Sequence, residues 1–350
     1  MLLAASQLVG CSKSSGPKAS GKTEAPISGS PSDAPVEFKA QWKTGQRYAF
    51  HLDVVHHSKT PRETKRNLEN PGAAFSEMET TFGEDYALSV TNELHNGHRQ
   101  LELQILSLQL DVAMGDQYVL NFDSENKVAP ANDSPVPDAL KQLIGGKLGV
   151  ELSSHNKLVK TDGGRELMDK ALGERPDNRA EGMLRRIFSP QNVRQMVELS
   201  GLPDKPVKIG DSWPAKRELA GNQTSIPVEL NCTFKGWQQH ENRKCALVEF
   251  SGAITGGDTS DKDRRRSGNK SDAGNGKVES GKMEGRMWFD PQLGMITETV
   301  VDSNLTVNSG SRRSKSTNAP PETALTTMSQ TISLKLADVT PLAGKLEAKN

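Results

Sequence analysis

"RQLELQILSLQLDVAM", Arg99 to Met114, alternates apolar and polar residues along most of its length. That is the period of a half-buried strand and not of a helix. The alternation changes phase once. Leu101, Leu103 and Ile105 share one parity, while Leu106, Leu108, Leu110 and Val112 share the other. The flip predicts a β-bulge, or a strand that passes from one packing environment to another. Upstream, "DYALSVTNEL" places Tyr86, Leu88 and Val90 on one face, and Asn96-Gly97 between the two runs is a hairpin turn.

Working outward, further strands are expected at Gln46–Val55, Gln117–Asp123, Pro227–Phe234, Ala246–Ile254, Met283–Phe289, Met295–Val307 and Ala324–Leu336. Helical spacing is confined to the middle of the chain. Pro137–Ile144 and Arg165–Leu172 are short candidates, and "RAEGMLRRIF" sets Met183, Leu184, Ile187 and Phe188 on one side. Ser189-Pro190 reads as an N-cap and first helical residue of a helix that buries Val193, Met196 and Val197 and stops at Gly201. Arg62–Ala74, 256–282 and Asn308–Pro321 are polar and read as loops, the second as a long disordered one. "WKTGQRY" (Trp42–Tyr48) and "VKIGDSW" (Val207–Trp213) share Lys-x-Gly-polar-x-aromatic. Two related halves, 36–163 and 203–341, bridged by helical 164–202, are therefore an option, with 342–350 as a tail.

The 350 residues carry 44 basic and 44 acidic side chains, so there is none of the basic excess of a nucleic-acid binder. Residues 1–10, "MLLAASQLVG", have the apolar, small-residue character of a truncated secretory signal, without a basic start. Residues 11–35 then hold Cys11 and a Ser-, Gly-, Pro- and Lys-rich tether whose mean span as a flexible coil is roughly 25–30 Å. Cys232 and Cys245 could form one disulfide; the alternative is two buried thiols.

Leu8-Val9-Gly10-Cys11 resembles the lipobox of bacterial lipoproteins, in which the cysteine sulfur carries a diacylglycerol; the alternative is a disordered tail with a chance cysteine. The tether, the Lys-x-Gly turns and the Gly285–Gly294 hairpin with Asp290 resemble an uncharacterised domain family of bacterial lipoproteins, β-rich and without an established function. That resemblance implies a lipid anchor at Cys11 and a body facing the periplasm or exterior of a bacterial cell envelope. More distantly, a curved sheet around helices is similar to lipoprotein-sorting and lipid-carrier folds. The expected fold is α+β, mostly antiparallel, as a curved sheet or open half-barrel with a few helices from the middle of the chain.

Chemistry-bearing motifs are sparse. Gly210-Asp211-Ser212 resembles the nucleophile block of one esterase family, whose base is an Asp-x-x-His near the C-terminus. Here no histidine follows His240. His56-His57 diverge on a strand, and His95 and His98 flank a turn without a completing ligand. Asp258, Asp261 and Asp263 lack the calcium-loop glycine and terminal glutamate, and Arg264–Arg266 would repel a cation. No catalytic residue, metal or cofactor is expected. Three readings follow: an anchored envelope protein that binds an apolar or lipid-like ligand, an anchored structural or protein-interaction module, and a serine hydrolase.

Overall fold

The computed structural model describes residues 34–61, 75–126, 135–173, 178–220, 225–255, 277–309 and 324–342. Cys11 and the tether up to residue 33, the loop at 62–74, residues 256–276 and residues 310–321 lie outside them. The described residues form twelve strands: β1 (Gln46–Pro61), β2 (Phe75–Glu93), β3 (Arg99–Met114), β4 (Gln117–Asp123), β5 (Lys147–Leu152), β6 (Leu158–Asp162), β7 (Ser212–Ala220), β8 (Ser225–His240), β9 (Arg243–Ile254), β10 (Lys277–Asp290), β11 (Met295–Ser309) and β12 (Ala324–Pro341). Four helices come from the middle of the chain: α1 (Val136–Leu143), α2 (Gly164–Leu172), α3 (Asn178–Ile187) and α4 (Pro190–Val197). All strand pairs are antiparallel, in one open, curved sheet of order β6-β5-β3-β2-β1-β12-β11-β10-β9-β8-β7, with β4 beside β3. The expected fold class is the one observed.

The phase change in β3 is a bulge. Tyr86 pairs with Ile105 and Asp85 with Ser107, which leaves Leu106 unpaired. Leu101, Leu103 and Ile105 before it, and Leu108 and Leu110 after it, are all buried. Comparable shifts leave Thr297 unpaired in β11, Ala337 in β12 and Lys235 in β8. Each bends its strand and increases the local twist.

The two Lys-x-Gly turns fold alike. Gln46 N–H donates to Lys43 O at 3.2 Å and Asp211 N–H to Lys208 O at 3.0 Å. Gly45 and Gly210 both have positive φ, and their amides donate to Val90 O and Phe234 O, each on the strand next to the one the turn opens. The sheet itself is continuous across both halves.

Some sequence boundaries move. The 256–282 loop is shorter than expected because β10 begins at Lys277: Val278 is opposite Val307 and is buried. The last helix stops at Val197, not Gly201, because Glu198 turns extended (ψ 124°) while its amide still caps Arg194 O. Cys232 and Cys245 are both free thiols. Cys232 pairs with Phe250, and Cys245 with Gln238, six positions farther along β8. At about 3.3 Å per strand residue, that separation is far beyond disulfide reach.

Strands β6 and β7 are the two edges of the sheet, and α4 touches both. Glu198, next after α4, accepts the amide of Leu158 at the start of β6 at 2.8 Å. Gln195 donates its side-chain amide to the carbonyl of Glu218 on β7 at 3.1 Å. A flat sheet of this order would hold its edges about 50 Å apart at about 4.8 Å per strand, whereas an eight-residue helix is only about 12 Å long. The sheet must therefore curl until both edges meet the helix. Ser189 Oγ accepts the Asn192 amide at 3.2 Å and Pro190 opens the helix, as its sequence signature predicts. Among the described residues no helix is long and apolar enough to cross a membrane.

Glu198→Ala removes a mostly buried acceptor of a β6 amide. The expected loss is about 1.5–3 kcal/mol in chemical denaturation, typical of a hydrogen bond to a charged group. An unchanged midpoint would show that α4 does not hold the β6 edge.

Candidate functional site

The curled sheet is not filled. Its buried residues form two clusters. One contains Trp42, Tyr48, Tyr86, Leu103, Leu140 and Leu184; the other contains Phe38, Val228, Phe234, Val248 and Phe289. A cavity of about 570 Å³ is lined by members of both. That is within the range of about 300–1,000 Å³ usual for small-molecule sites. Its floor is the inward parity of three adjacent strands: Phe50, Leu52 and Val54 on β1, Phe82 and Tyr86 on β2, and Ile332 and Leu334 on β12. Met283 and Met287 of β10 extend it, and Met183, Ile187 and Met196 from α3 and α4 cover it. Methionines suit such a lining because their flexible chains adapt to irregular apolar shapes.

The cover is tied down on two sides. Tyr86, fully buried and stacked on Phe50 at 5.3 Å, donates its hydroxyl to Met196 O at 3.2 Å. Trp213 Nε1–H donates to Gly201 O at 3.0 Å.

Two ionisable residues sit where the alternation calls for apolar ones. Glu84 lies between Phe82 and Tyr86 on the inward parity of β2, opposite Leu52 and Leu108. It is 3% exposed, lines the cavity, and its Oε1 has no hydrogen-bond partner. Burial, with a smaller push from the charge of Asp85, raises its carboxyl to about 8, so it is largely protonated at neutral pH. Arg217 holds the same kind of position on β7. Trp213, Ala215 and Arg217 pair with Cys232, Leu230 and Val228, all buried, while Lys216 and Glu218 point outward and are exposed. Burial lowers the pKa of Arg217, an effect only partly offset by the Cys232 thiol, yet arginine stays charged in proteins.

A wider depression, about 800 Å³, lies at the far ends of β1, β2, β10, β11 and β12. Its charged lining is internally paired, as in Lys59–Glu77 and His57–Glu79, so the smaller apolar cavity is the better candidate site.

The residues singled out in the sequence lie elsewhere. Ser212 Oγ is 2.8 Å from Thr233 Oγ1 on an exposed edge, and the Asp211 carboxylate accepts the Lys208 amide at 2.8 Å, so Gly210-Asp211 builds a turn. His240, expected in a turn-like stretch, ends β8 before a two-residue turn in which Glu241 and Asn242 both have positive φ. It stacks on Trp288 and bonds Glu298 Oε2 at 2.7 Å. His98 bonds Glu151 Oε1 at 2.7 Å. His51, Asp53, Asp85 and Ser107 form a bonded polar cluster on the opposite face of the sheet from Leu52. Among the described residues, no group of three or more His, Cys, Asp or Glu side chains could hold a metal ion. Cys232 and Cys245 are pushed up to about 11 by burial, which keeps both as unreactive thiols. Sequence reasoning missed Glu84 and Arg217. The available signal was a charge inside an otherwise apolar parity, legible only once the strand and its buried face are known.

Glu84 makes stability depend on pH. The folded chain keeps its proton up to about pH 8, while the unfolded chain releases it near 4.5, so stability falls as pH rises through that window. Glu84→Gln should flatten this slope and stabilise the protein at pH 9 by an amount on the order of a few kcal/mol relative to pH 5. Urea melts at the two pH values check it; parallel pH profiles for the two proteins would show that the carboxyl is not held protonated.

No curated protein matches the sequence. Among solved structures, one described as lipid–protein interactions in lipovitellin aligns at 11% identity and TM-score 0.44. It covers 89% of this chain and 27% of its own, so the chain spans about a quarter of that protein. The COG4313 outer membrane channel from Pseudomonas putida F1 aligns at 9% identity and TM-score 0.17, over 88% of this chain and 99% of its own. Neither likeness is close enough to carry a functional argument. Family of unknown function (DUF6263) matches residues 96–296, more than half of the 350, and the chain belongs to that family.

Proposed function

We propose that the protein is a non-enzymatic binder of an apolar, lipid-like ligand held between the inner face of the sheet and helices α3 and α4. The observation that carries this reading is the cavity itself. It lies at the seam of two cores, is walled mainly by Phe, Leu, Ile, Val and Met, and is covered by a helix pinned to both sheet edges. Apolar walls with a few placed polar groups are the usual make-up of a small-molecule site. The hydrolase alternative has no comparable support, because the Ser212 hydroxyl is bonded to a threonine and its neighbouring acid is spent on a turn.

The location that goes with this reading is the bacterial cell envelope, with Cys11 as the lipid-anchored residue. Its support is the Leu8–Cys11 sequence and the tether behind it. Metabolic incorporation of labelled palmitate that disappears in Cys11→Ala is the expected result; equal labelling of both proteins would remove the anchor from the proposal.

For the cavity, the probe is 1,6-diphenylhexatriene, a neutral apolar dye that fluoresces when shielded from water. The full chain should bind it. Val54→Trp, which projects an indole into the cavity, should weaken binding about tenfold or more, at a stability loss within the usual overpacking range of about 1–3 kcal/mol. Asp53→Trp, on the opposite face, should leave binding intact. Dye binding that is indifferent to Val54→Trp would place the dye elsewhere and sink the reading.

A further inference from the structure

We propose that the ligand is an amphiphile with an anionic head, carboxylate or phosphate, and that Arg217 receives that head. This rests on the apolar-ligand reading and goes one step further, to the chemical class of the ligand.

The five carboxyl and guanidinium groups lining the cavity are Glu84, Arg185, Glu198, Arg217 and Glu218. Three are already used. Arg185 pairs with Glu181, and Glu218 pairs with Arg194 at 3.7 Å. Glu198 accepts the Leu158 amide and faces Arg194 at 3.5 Å and Lys157 at 3.4 Å. The two left over are the two that interrupt the inward apolar parity. Glu84 can relieve its burial by holding a proton, and it then offers the ligand a neutral hydroxyl donor. Arg217 has no such escape. Among the described residues it has neither an ion pair nor a hydrogen bond. Arg217 is partly buried, and a partly desolvated cation without a counter-charge is unfavourable, which an anion would relieve. The planar guanidinium presents paired donors that match a carboxylate or a phosphate. The floor, from Phe50, Leu52 and Val54 to Ile332 and Leu334, offers a chain apolar contact, and the helix side adds the neutral polar groups of Asn192 and Gln195, so one molecule with an anionic end and a hydrocarbon body suits the cavity.

An inward charge on an edge strand has another use, as protection against edge-to-edge pairing. That role would make Arg217 matter for solubility and leave it indifferent to the ligand's head.

The experiment displaces diphenylhexatriene from the full chain with ligands of one chain length and different heads, each below its micellar concentration. Oleate and oleoyl lysophosphatidate carry the anion as carboxylate or phosphate; oleyl alcohol and monoolein are neutral. The expected result is that at least one anionic ligand displaces the dye about tenfold more effectively than oleyl alcohol, the scale of one charge-assisted contact. Whichever anion leads identifies the head. Arg217→Gln should bring anionic and neutral ligands to within about twofold while dye binding persists, and Arg217→Lys should retain part of the preference. Equal displacement by anionic and neutral ligands in the wild type overturns the head assignment and leaves the apolar cavity standing. So does a preference that survives Arg217→Gln, or a variant that only aggregates without losing it. Failure of the wild type to bind the dye overturns the apolar-ligand reading, and the head assignment with it.

Discussion

Strand β1 pairs with β12, the last strand of the chain, through a register that runs from Gln46–Pro341 to Lys59–Thr327. Everything else in the molecule depends on this ladder. The chain makes one antiparallel meander from β1 to β6 and a second from β7 to β12, and among the described residues the ladder is the only pairing of named strands between them. Without it each meander would expose the edge of a long strand, which is a template for aggregation. It is also the most non-local pairing in the sheet, the kind of contact whose loop-closure cost is largest. Its inward rungs, Leu52–Leu334 and Val54–Ile332, are the centre of the cavity floor. The contact that joins the two halves therefore also builds the site.

Closure at the opposite end is of a different kind. The edges β6 and β7 do not pair with each other. Each gives a backbone group to a side chain at the C-terminal end of α4 or just beyond it, Leu158 N–H to Glu198 and Glu218 O to Gln195. A helix cannot complete a ladder, so it leaves the edges apart, and the volume beneath it is walled without being packed. Val193 and Val197 of α4 are buried in the core while Asn192, Gln195 and Met196 line the cavity. One short amphipathic element thus seals the gap and forms part of the lining. The bulges at Leu106, Lys235, Thr297 and Ala337 supply bend along the sheet that a regular ladder would not.

What the sequence made legible is what is local. The bulge in β3 follows from a phase change within sixteen residues, and the Ser189-Pro190 start of α4 from two adjacent ones. Hairpins with short turns, such as the one at Asn96-Gly97, are local in the same sense. The long-range features were not legible. Nothing in β1 or β12 alone names the other as partner, and the spacing of Cys232 and Cys245 carries no register, so a disulfide remained open until the strands were aligned. Strand β7 was invisible because Lys216-Arg217-Glu218 looks like a solvated charge run. Its alternation with Trp213 and Ala215 has meaning only when one face is known to be covered. Glu84 was hidden in the same way, one turn of the alternation upstream of the apolar run that began at Tyr86.

These two residues also show why the cavity is difficult to explain as a packing defect. Leu at either position would extend the apolar parity of its strand and relieve a buried polar group. Glu84 carries an unpartnered oxygen and Arg217 a charge without an ion pair among the described residues, both in one cavity and on strands seven places apart in the sheet order. A void left by imperfect packing should be lined like the core around it. Here the strands supply an apolar floor, while the two charges set into its parity differ in chemistry: one can become neutral by taking a proton and the other cannot. The positive charge of Arg217 is not balanced by an ion pair among the described residues, and that imbalance is the reason an anionic head is the chemistry proposed for it.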